Sequence, residues 1–325
     1  MSALTFEALR RLADGRFHSG EDIARSLHRS RATLCEALKG APDLGVELFS
    51  VPGKGYRLSA PIEFLDAAAI SKKLAAADSR LKLQVLDQVD STSSRLLEMA
   101  AQGAASGSCL AAEWQSSGRG RRGRSWISSL GGSLTFSLLW RFERGAGHLG
   151  GLSLAVGEAI ARVLVQSGVT RAQVKWPNDI VCDFRKLAGI LVETSGEMQG
   201  PSVAVIGVGV NYRLDERTLD RIDQAVTDVV QCASVPPTRS ELLAAMLASL
   251  AATLDAFDVH GFAPSREAWR ALHAYQGRAV RVLPARDPPF EAEVVDVAAD
   301  GALVVAMPDG RTVNLASAEI SLRAR

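Results

Sequence analysis

Residues 118–126, with the sequence GRGRRGRSW, combine four arginines with three glycines. Glycine lets the backbone approach a ligand closely, and guanidinium groups match the oxygens of phosphates and carboxylates. The segment therefore predicts a loop that closes on an anion. Its basicity is local, because 37 Lys and Arg nearly balance 36 Asp and Glu over the whole chain.

Three other interpretations of this segment compete with an anion-binding loop. Its glycines match the G-x-G-x-x-G pattern of dinucleotide-binding folds, which requires a strand before the glycines and a helix after them. Residues 133–140 instead alternate polar and apolar side chains like a strand, which disfavours that fold. A short basic run can also be a nucleic-acid patch, a targeting signal or a solvated turn. The segment alone leaves these alternatives open.

Hydroxyl groups gather at the end of a predicted strand over residues 81–89. Ser91, Thr92 and Ser93 follow this strand and precede a predicted helix. Such residues commonly cap the free N–H groups of a helix, but they could equally hydrogen-bond a polar group of a ligand. A second predicted strand ends near Gln115, just before the basic segment.

Residues 175–179, with the sequence KWPND, place ionisable side chains around a proline that would interrupt a strand ladder. Lys175 and Asp179 could form a weak surface ion pair. Alternatively, Lys175 contacts phosphate and Asp179 holds Mg²⁺, an ion that prefers carboxylate and phosphate oxygens. Lys186 begins another predicted strand, in which Gly189 leaves room for a ligand.

A further predicted strand over residues 203–211 carries glycine at alternate positions. Alternate residues of a strand share one face. Gly207 and Gly209 therefore predict a shallow trough on one face of a sheet, with Asn211 at its end.

Length and composition limit the class of protein. At 325 residues the chain is long enough for two or three domains of about 100–200 residues each. Its 47% hydrophobic and 22% charged residues are typical of a soluble globular protein. A net charge of +1 argues against a surface devoted to polyanions. We expect a cytoplasmic protein, because no signal peptide or stretch of about 18 apolar residues is present.

The four cysteines are widely separated in the sequence: Cys35, Cys109, Cys182 and Cys232. They form no C-x-x-C pair, which disfavours a structural zinc site and a disulfide framework. We expect reduced, mostly buried thiols.

Residues 1–60 have the pattern of three short helices followed by a hairpin. Apolar spacing predicts a helix over residues 5–13, and Ser19 and Ser30 are candidate N-caps of the next two helices. A Pro-Gly turn then separates two short strands. This order predicts a winged helix-turn-helix module that reads DNA with its third helix and wing. A protein-interaction module built from the same helices is the alternative.

The chain as a whole is predicted to be α+β. A central mixed α/β domain over residues 61–275 is built on a β-sheet, with helices over 62–77, 153–165 and 239–275. Residues 276–325 contain short strands joined by Asp-Gly turns, which predict a small β module.

Five motifs occur in order along the chain: residues 90–92 (DST), 118–124 (GRGRRGR), 175–179 (KWPND), 186–191 (KLAGIL) and 207–211 (GVGVN). Together they resemble the biotin–protein ligase family. With the N-terminal module, the chain resembles the bifunctional bacterial type, which combines the ligase with a biotin operon repressor. The resemblance implies that the C-terminal strands form an SH3-like barrel.

The resemblance also implies a reaction. Biotin and ATP, with Mg²⁺, give biotinyl-5′-AMP and pyrophosphate, and a lysine of a biotin carboxyl carrier protein then displaces AMP. The other implied partners are operator DNA, bound by residues 1–60, and a second copy of the chain in an adenylate-bound homodimer. We expect no membrane partner. A transcription factor that senses a nucleotide or vitamin without catalysis is the alternative.

Site residues follow from the motifs of the family. Ser91, Thr92 and Ser93 would bind the polar ring of biotin, and the basic loop would close over the adenylate. The implied catalytic residues are Arg121, Lys175, Asp179 and Lys186, with Asp179 as metal ligand. The implied ligand-binding residues are Ser91, Thr92, Ser93, Gln115, Gly118, Arg119, Gly120, Arg121, Arg124, Trp126, Lys186, Gly189, Gly207, Gly209 and Asn211. Residues 212–240 contain no tryptophan, so adenine is expected to pack on an aliphatic residue such as Val226 or Val229.

Overall fold

Three short helices and a hairpin form the N-terminal part of the chain. The computed structural model describes residues 2–77, 79–197, 199–284 and 288–316, together with the backbone of 320–324. The elements of the first part are α1 (Ala3–Arg11), α2 (Gly20–Ser26), α3 (Arg31–Leu38), β1 (Leu48–Val51) and β2 (Gly55–Leu58). Both predicted caps are confirmed, because Ser19 Oγ accepts from Asp22 N and Ser30 Oγ accepts from Thr33 N.

The N-terminal part has its own apolar core, which includes Phe6, Leu9, Leu34 and Leu44. This core also takes in Leu130 from the central part of the chain. The backbone N–H of Leu130 donates to the carbonyl of Leu44 at 2.9 Å. The N-terminal part is therefore packed against a central loop.

The central part contains a seven-stranded sheet flanked by helices. The described strands of the central part are β3 (Lys82–Val89), β4 (Ser108–Gln115), β5 (Gly118–Arg119), β6 (Ser125–Trp126), β7 (Ser133–Phe142), β8 (Ala172–Lys175), β9 (Asp179–Cys182), β10 (Arg185–Gly196) and β11 (Ser202–Asn211). Seven of these strands form the sheet, and two, β5 and β6, lie outside it. Its helices are α4 (Ala67–Ala76), α5 (Thr92–Ala101), α6 (Leu152–Gln166), α7 (Glu216–Leu219), α8 (Val229–Cys232), α9 (Arg239–His260) and α10 (Ala263–Leu272).

The strand order in the large sheet is β3-β4-β7-β11-β10-β9-β8. The β3–β4 pair is parallel and the other neighbours are antiparallel. Strands β5 and β6 pair only with each other. The glycines of residues 118–123 are followed directly by strands β6 and β7, so the dinucleotide-binding alternative does not apply.

The two faces of the large sheet pack against different helices. One face packs on α6 and α9 through apolar residues such as Phe136, Leu138 and Ile206. The other face supports α5 through a small cluster formed by Leu96, Leu110, Leu139 and Val205. Because the second cluster is small, the same face has room for polar groups and a cavity beside α5.

The segment that leads into the central part differs from the prediction of a helix over residues 62–77. Helix α4 begins only at Ala67. The preceding residues are not helical, and central groups hold them: Leu65 N donates to Glu113 Oε1 at 2.6 Å, and Arg239 Nη1 donates to the carbonyl of Glu63 at 2.6 Å. Arg239 and Glu113 themselves form a fully buried ion pair at 2.9 Å.

Helix α9 is the one helix of the described ranges that is long and apolar enough to cross a membrane by length and composition. Half of its most apolar window is buried within the protein. Its buried residues include Leu243, Leu247, Leu250 and Leu254, which belong to the core beneath the sheet. This burial identifies α9 as a core helix.

The C-terminal strands form a five-stranded antiparallel sheet in the order β15-β14-β13-β12-β16. They are β12 (Ala279–Pro284), β13 (Phe290–Val297), β14 (Leu303–Ala306), β15 (Thr312–Leu315) and β16 (Ile320–Ala324). Apolar residues of β12 to β15 join the central core. The Asp-Gly turns at 300–301 and 309–310 lie between strands, as predicted.

The cysteines correct one expectation. Cys109 and Cys182 are buried and Cys232 is partly so, but Cys35 is exposed on α3. All four are free thiols.

Candidate functional site

A cavity of about 860 Å³ lies above the C-terminal half of β11, between α5 and the basic loop. It is lined by every predicted site residue except Gly118: Ser91, Thr92, Ser93, Gln115, Arg119, Gly120, Arg121, Arg124, Trp126, Lys175, Asp179, Lys186, Gly189, Gly207, Gly209 and Asn211. Gly118 instead lines a neighbouring cavity of about 430 Å³, which shares Gln115 and several loop residues with the first. The cavity thus brings together side chains that are far apart in sequence.

One end of the cavity is formed by neutral hydrogen-bonding groups, which we call the hydroxyl end. Ser91 caps α5 by accepting from Ser94 N. Thr92 N donates to Gln115 Oε1 at 2.7 Å, and Thr92 Oγ1 lies 3.1 Å from the same oxygen. Ser91, Thr92, Ser93 and Gln115 are all buried. Capping and ligand contact were alternatives in the sequence, and Ser91 has the position for both.

The floor of the cavity is the predicted trough of glycines. Gly189 on β10 faces Gly209 on β11 in the sheet register, and Gly207 lies on the same face. A methyl group on Gly209 would overlap the indole of Trp126, and one on Gly207 would overlap Ser93 Oγ. The trough therefore exists because these positions lack side chains, and Trp126 lies across part of it.

The basic loop forms the roof. Gly118–Arg119 and Ser125–Trp126 pair as a short hairpin, and residues 120–124 turn over the cavity. Arg119 donates to both carboxylate oxygens of Glu193 at 3.0 and 2.6 Å. Arg121 donates to Asn178 Oδ1 at 3.0 Å. Burial, followed by the nearby Arg122 guanidinium, lowers the pKa of Arg121, although a guanidinium remains charged.

Opposite the hydroxyl end lies the cationic end, which holds Arg121, Lys175, Asp179 and Lys186. Lys186 Nζ forms an ion pair with Asp179 Oδ1 at 2.9 Å. Lys186 Nζ is also 5.9 Å from the centre of a Trp126 ring. About a fifth of each ionic side chain is exposed, 19% for Lys186 and 23% for Asp179. The pair is thus partly desolvated and open to an incoming anion.

Residues 175–179 form the connection between β8 and β9. The Trp176–Pro177 peptide bond is cis. Trp176 is buried, and its Nε1 donates to the carbonyl of Gly301 at 3.1 Å. Asn178 Nδ2 donates to the carbonyl of Ile190 at 2.8 Å, and Ile190 N donates to the carbonyl of Asn178. This short connection is therefore held from both sides, which fixes Lys175 and Asp179 at the cavity.

Aromatic groups surround the outer part of the cationic end. Lys175 Nζ is 5.7 Å from the ring centre of Tyr275. Tyr275 in turn packs against Phe184 and His273. Burial lowers the pKa of His273 to about 3, so its ring is neutral. Lys175 is therefore set against a largely apolar wall.

Asn211 lies at the end of the trough, as its place in the sequence predicted. It lines the cavity but is buried, and its Nδ2 donates to the carbonyls of Lys186 and Thr227 at 3.2 and 3.1 Å. It therefore ties β10 to the segment 221–227. Of the two candidates for adenine packing, Val226 lines the cavity and Val229 is fully buried in the core.

Comparison with known proteins agrees with this geometry. Residues 85–211 match the model of the biotin/lipoate A/B protein ligase family, and residues 275–323 match that of the biotin protein ligase C terminal domain. The bifunctional ligase/repressor BirA of Salmonella typhimurium is 39% identical over 84% of this chain and 83% of its own length. The chain belongs to the biotin protein ligase family.

Other relatives support this membership. The bifunctional ligase/repressor BirA of Escherichia coli is 38% identical to this chain, over 84% of this chain and 83% of its own length. Among solved structures, the biotin protein ligase from Aquifex aeolicus in complex with biotin and ATP is similar with a TM-score of 0.63. That structure is 26% identical and covers 75% of this chain and 99% of its own.

The sequence motifs did not point to several polar residues in and around this cavity. Asn178 lines the cavity and accepts from Arg121, Glu193 accepts from Arg119, and Ser137 lies beneath the hydroxyl end. Asn178 stands inside the KWPND motif, so that motif could have drawn attention to it. Glu193 and Ser137 are placed by strand pairing, which no local motif reveals.

Within the described ranges, no three His, Cys, Asp or Glu side chains gather into a metal-binding cluster. Two carboxylates, Asp179 and Asp223, line the cavity. Such a donor set fits a metal that takes most of its other ligands from substrate phosphates and water, which is the habit of Mg²⁺.

Proposed function

We propose that this chain activates biotin with ATP to form biotinyl-5′-AMP and transfers the biotinyl group to a lysine of a biotin carboxyl carrier protein. The observation that carries this proposal is the single cavity that joins a neutral hydroxyl end, a glycine trough and a cationic end. A ligand with a polar ring, an apolar chain and a carboxylate matches that order of environments.

The hydroxyl end would bind the cyclic urea of biotin. Ser91, Thr92 and Ser93 supply oxygen atoms at the start of α5, and Gln115 supplies its amide N–H groups. The valeryl chain would then run along the trough over Gly207 and Gly209, beneath Trp126. This orientation brings the carboxylate towards Lys186 and Arg121.

In the first step, a carboxylate oxygen of biotin attacks the α-phosphorus of ATP. The bond between that phosphorus and the oxygen bridging to the β-phosphate breaks, and pyrophosphate leaves. Two anions must approach each other, and negative charge accumulates on the phosphoryl oxygens. Lys186, Arg121 and Lys175 would stabilise this charge more strongly in the partly desolvated cavity than in water.

Lys186 and Arg119 begin this step with carboxylate partners. The substrate anions would take the place of Asp179 at Lys186 and of Glu193 at Arg119. Released from Lys186, Asp179 would hold Mg²⁺ together with the phosphates of ATP. Asp223 lines the same cavity and would be a second carboxylate for this ion.

In the second step, the neutral amine of the acceptor lysine attacks the acyl carbon of the adenylate. The acyl–phosphate oxygen bond breaks, AMP leaves with the bonding electrons, and the amine loses a proton to solvent. Neither step requires a nucleophile from the protein. The basic loop would shield the mixed anhydride from water until the acceptor arrives.

Residues 1–60 are proposed to be a winged helix-turn-helix that binds operator DNA. Helices α2 and α3 are joined by a short turn, and the β1–β2 hairpin follows as the wing. Arg29, Arg31 and Lys54 are exposed where phosphate contacts are expected. Repression by this module would require a symmetric pair, so we propose a homodimer of the adenylate-bound form. We also propose an SH3-like arrangement for the C-terminal strands and a cytoplasmic location.

A transfer assay tests the ligase. The full chain is incubated with biotin, Mg-ATP and a carrier acceptor domain, and pyrophosphate and acceptor mass are followed. We expect both pyrophosphate release and an acceptor heavier by one biotinyl group. If biotin binds but neither product forms, the alternative of a non-catalytic, ligand-sensing transcription factor replaces the proposal.

DNA binding is tested separately with a chain that lacks residues 1–60. The full chain should slow the migration of operator DNA in a gel-shift assay when biotin and ATP are present, and the shortened chain should not. Equal binding by both chains would remove the DNA-reading role from the N-terminal part without affecting the ligase.

A further inference from the structure

Ser137 lies directly beneath the hydroxyl end, in the middle of β7. It is paired with Leu110 of β4 and Gly207 of β11, and no part of it is exposed. Its Oγ lies 2.7 Å from Thr92 Oγ1 and 3.0 Å from Ser93 Oγ. A buried hydroxyl costs free energy unless it is hydrogen-bonded, and here both partners belong to the predicted biotin site.

The direction of these hydrogen bonds is fixed by one backbone group. Thr92 N–H can only donate, and it donates to Gln115 Oε1 at 2.7 Å. The carbonyl oxygen of Gln115 therefore faces Thr92. Because that oxygen can only accept, the Thr92 hydroxyl, 3.1 Å away, must donate to it.

The remaining bonds follow from the single proton that each hydroxyl carries. Thr92 has used its proton on Gln115, so Ser137 must donate to Thr92. Ser137 has then used its own proton, so Ser93 must donate to Ser137. Ser93 thus donates to Ser137, Ser137 donates to Thr92, and Thr92 donates to Gln115. Ser93 Oγ is left with lone pairs towards the cavity.

We propose that Ser137 is a positioning residue that fixes Ser93 as a hydrogen-bond acceptor for a ureido N–H of biotin. The inference deepens the proposed function and rests on it. A cyclic urea carries N–H donors on either side of its carbonyl, so a lone pair on Ser93 complements it. Without Ser137, the Ser93 hydroxyl could rotate its proton towards the ligand and oppose that N–H.

The test compares Ser137→Ala with wild type in assays of adenylate formation, in which one substrate is varied while the other is saturating. We expect the KM for biotin to rise about tenfold, the effect of losing one well-made hydrogen bond. The KM for ATP and kcat should stay unchanged, because Ser137 lies beneath the hydroxyl end and contacts neither ATP nor the reacting atoms. Thr135→Val is the matched control, since its buried hydroxyl on the same strand donates to the carbonyl of Ala112, whereas that of Ser137 bonds the hydroxyl end.

Two further measurements separate positioning from a general loss of structure. Desthiobiotin keeps the cyclic urea but lacks the sulfur ring, so Ser137→Ala should weaken its binding by the same factor as that of biotin. Ser93→Ala removes the end of the chain of hydroxyls. The Ser93→Ala and Ser137→Ala effects on the biotin KM should therefore be less than multiplicative in the double variant.

An unchanged biotin KM in Ser137→Ala would overturn the inference, as would an equal loss in Thr135→Val or independent effects of the two serine substitutions. The proposed function fails in a different way: a wild-type chain that makes no adenylate from biotin and ATP. A wild type that is active with a wild-type-like Ser137→Ala variant rejects the role of Ser137 alone.

Discussion

The two ends of the cavity satisfy their polar groups in different ways. At the hydroxyl end, neutral groups are buried and bonded to one another within 2.7 to 3.1 Å. At the cationic end and under the roof, charged groups hold carboxylate partners: Lys186 holds Asp179, and Arg119 holds Glu193. The hydroxyl end is thus arranged before the ligand arrives, whereas the charged groups must exchange one anion for another.

This difference divides recognition from chemistry. A prearranged set of neutral hydrogen bonds selects a ligand without ordering costs at the time of binding. The ion pair with Asp179 keeps the mostly buried Lys186 from lying unpaired in the cavity, whereas Arg119 remains partly exposed beside Glu193. The same cations are then available for charge that develops only in the transition state.

The largest effect that this comparison predicts belongs to the cationic end. Lys186→Ala and Arg121→Ala should each reduce the rate of adenylate formation by at least about 100-fold, since each removes a positive charge next to the reacting phosphoryl group. Biotin binding should change far less. Rapid-quench measurement of a single turnover provides the rate.

Lys72→Ala is a matched control for charge, because Lys72 is exposed on α4 away from the cavity. A single-turnover rate close to wild type in both cavity variants would show that these cations do not serve the reaction. The division between the two ends would then be wrong.

An intermediate effect is expected from the floor that joins the two ends. A methyl group on Gly209 would overlap the Trp126 indole, whereas one on Gly189 would lie 3.2 Å from its edge. Gly209→Ala should therefore raise the KM for biotin by about tenfold to a hundredfold, and Gly189→Ala should raise it less. Titration of biotin at saturating ATP gives both values.

Gly157→Ala supplies the control for this comparison. This glycine lies within α6, and its added methyl group would meet neighbours only at 3.5 Å and beyond. An order reversed between Gly189 and Gly209 would mean that the indole does not lie across the trough in solution.

The smallest effect is expected at the roof. Glu193→Gln removes the carboxylate that competes with the substrate for Arg119, so the affinity for biotinyl-5′-AMP should rise about twofold, in keeping with the small strength of exposed ion pairs. Glu98→Gln is the control, because Glu98 pairs with Arg95 on the exposed side of α5. Calorimetric titration measures the affinity. A loss of affinity would indicate that Glu193 helps to bind the ligand.

Much of the site could be predicted because its residues lie in local motifs. The end of β3, the start of β10 and the alternate glycines of β11 are each readable within about ten residues of sequence. The caps at Ser19 and Ser30 were predictable for the same reason. Local spacing also indicated that Gly207 and Gly209 share one face.

The parts that sequence could not predict depend on partners distant in the chain. Ser137 faces Gly207 only because β7 pairs with β11, and Glu193 reaches Arg119 across 74 residues of sequence. Val226 and Val229 look alike in the sequence, but α8 turns Val229 into the core. Residues 62–66 have a helical pattern, yet they lie outside α4 and are held by tertiary hydrogen bonds to Glu113 and Arg239.

Residues 62–66, which link the N-terminal part to the central part, have a consequence for modularity. The linker contributes a backbone carbonyl, a backbone N–H and the Glu63 carboxylate to the buried Arg239–Glu113 pair and the start of α9. A chain shortened beyond Leu65 would leave these buried groups short of partners, at about 1–3 kcal/mol for each lost hydrogen bond. The usable joint therefore lies before Glu63. An unrelated DNA-reading module fused there would exchange one target for another only if it also covered Leu130, which the present N-terminal core buries.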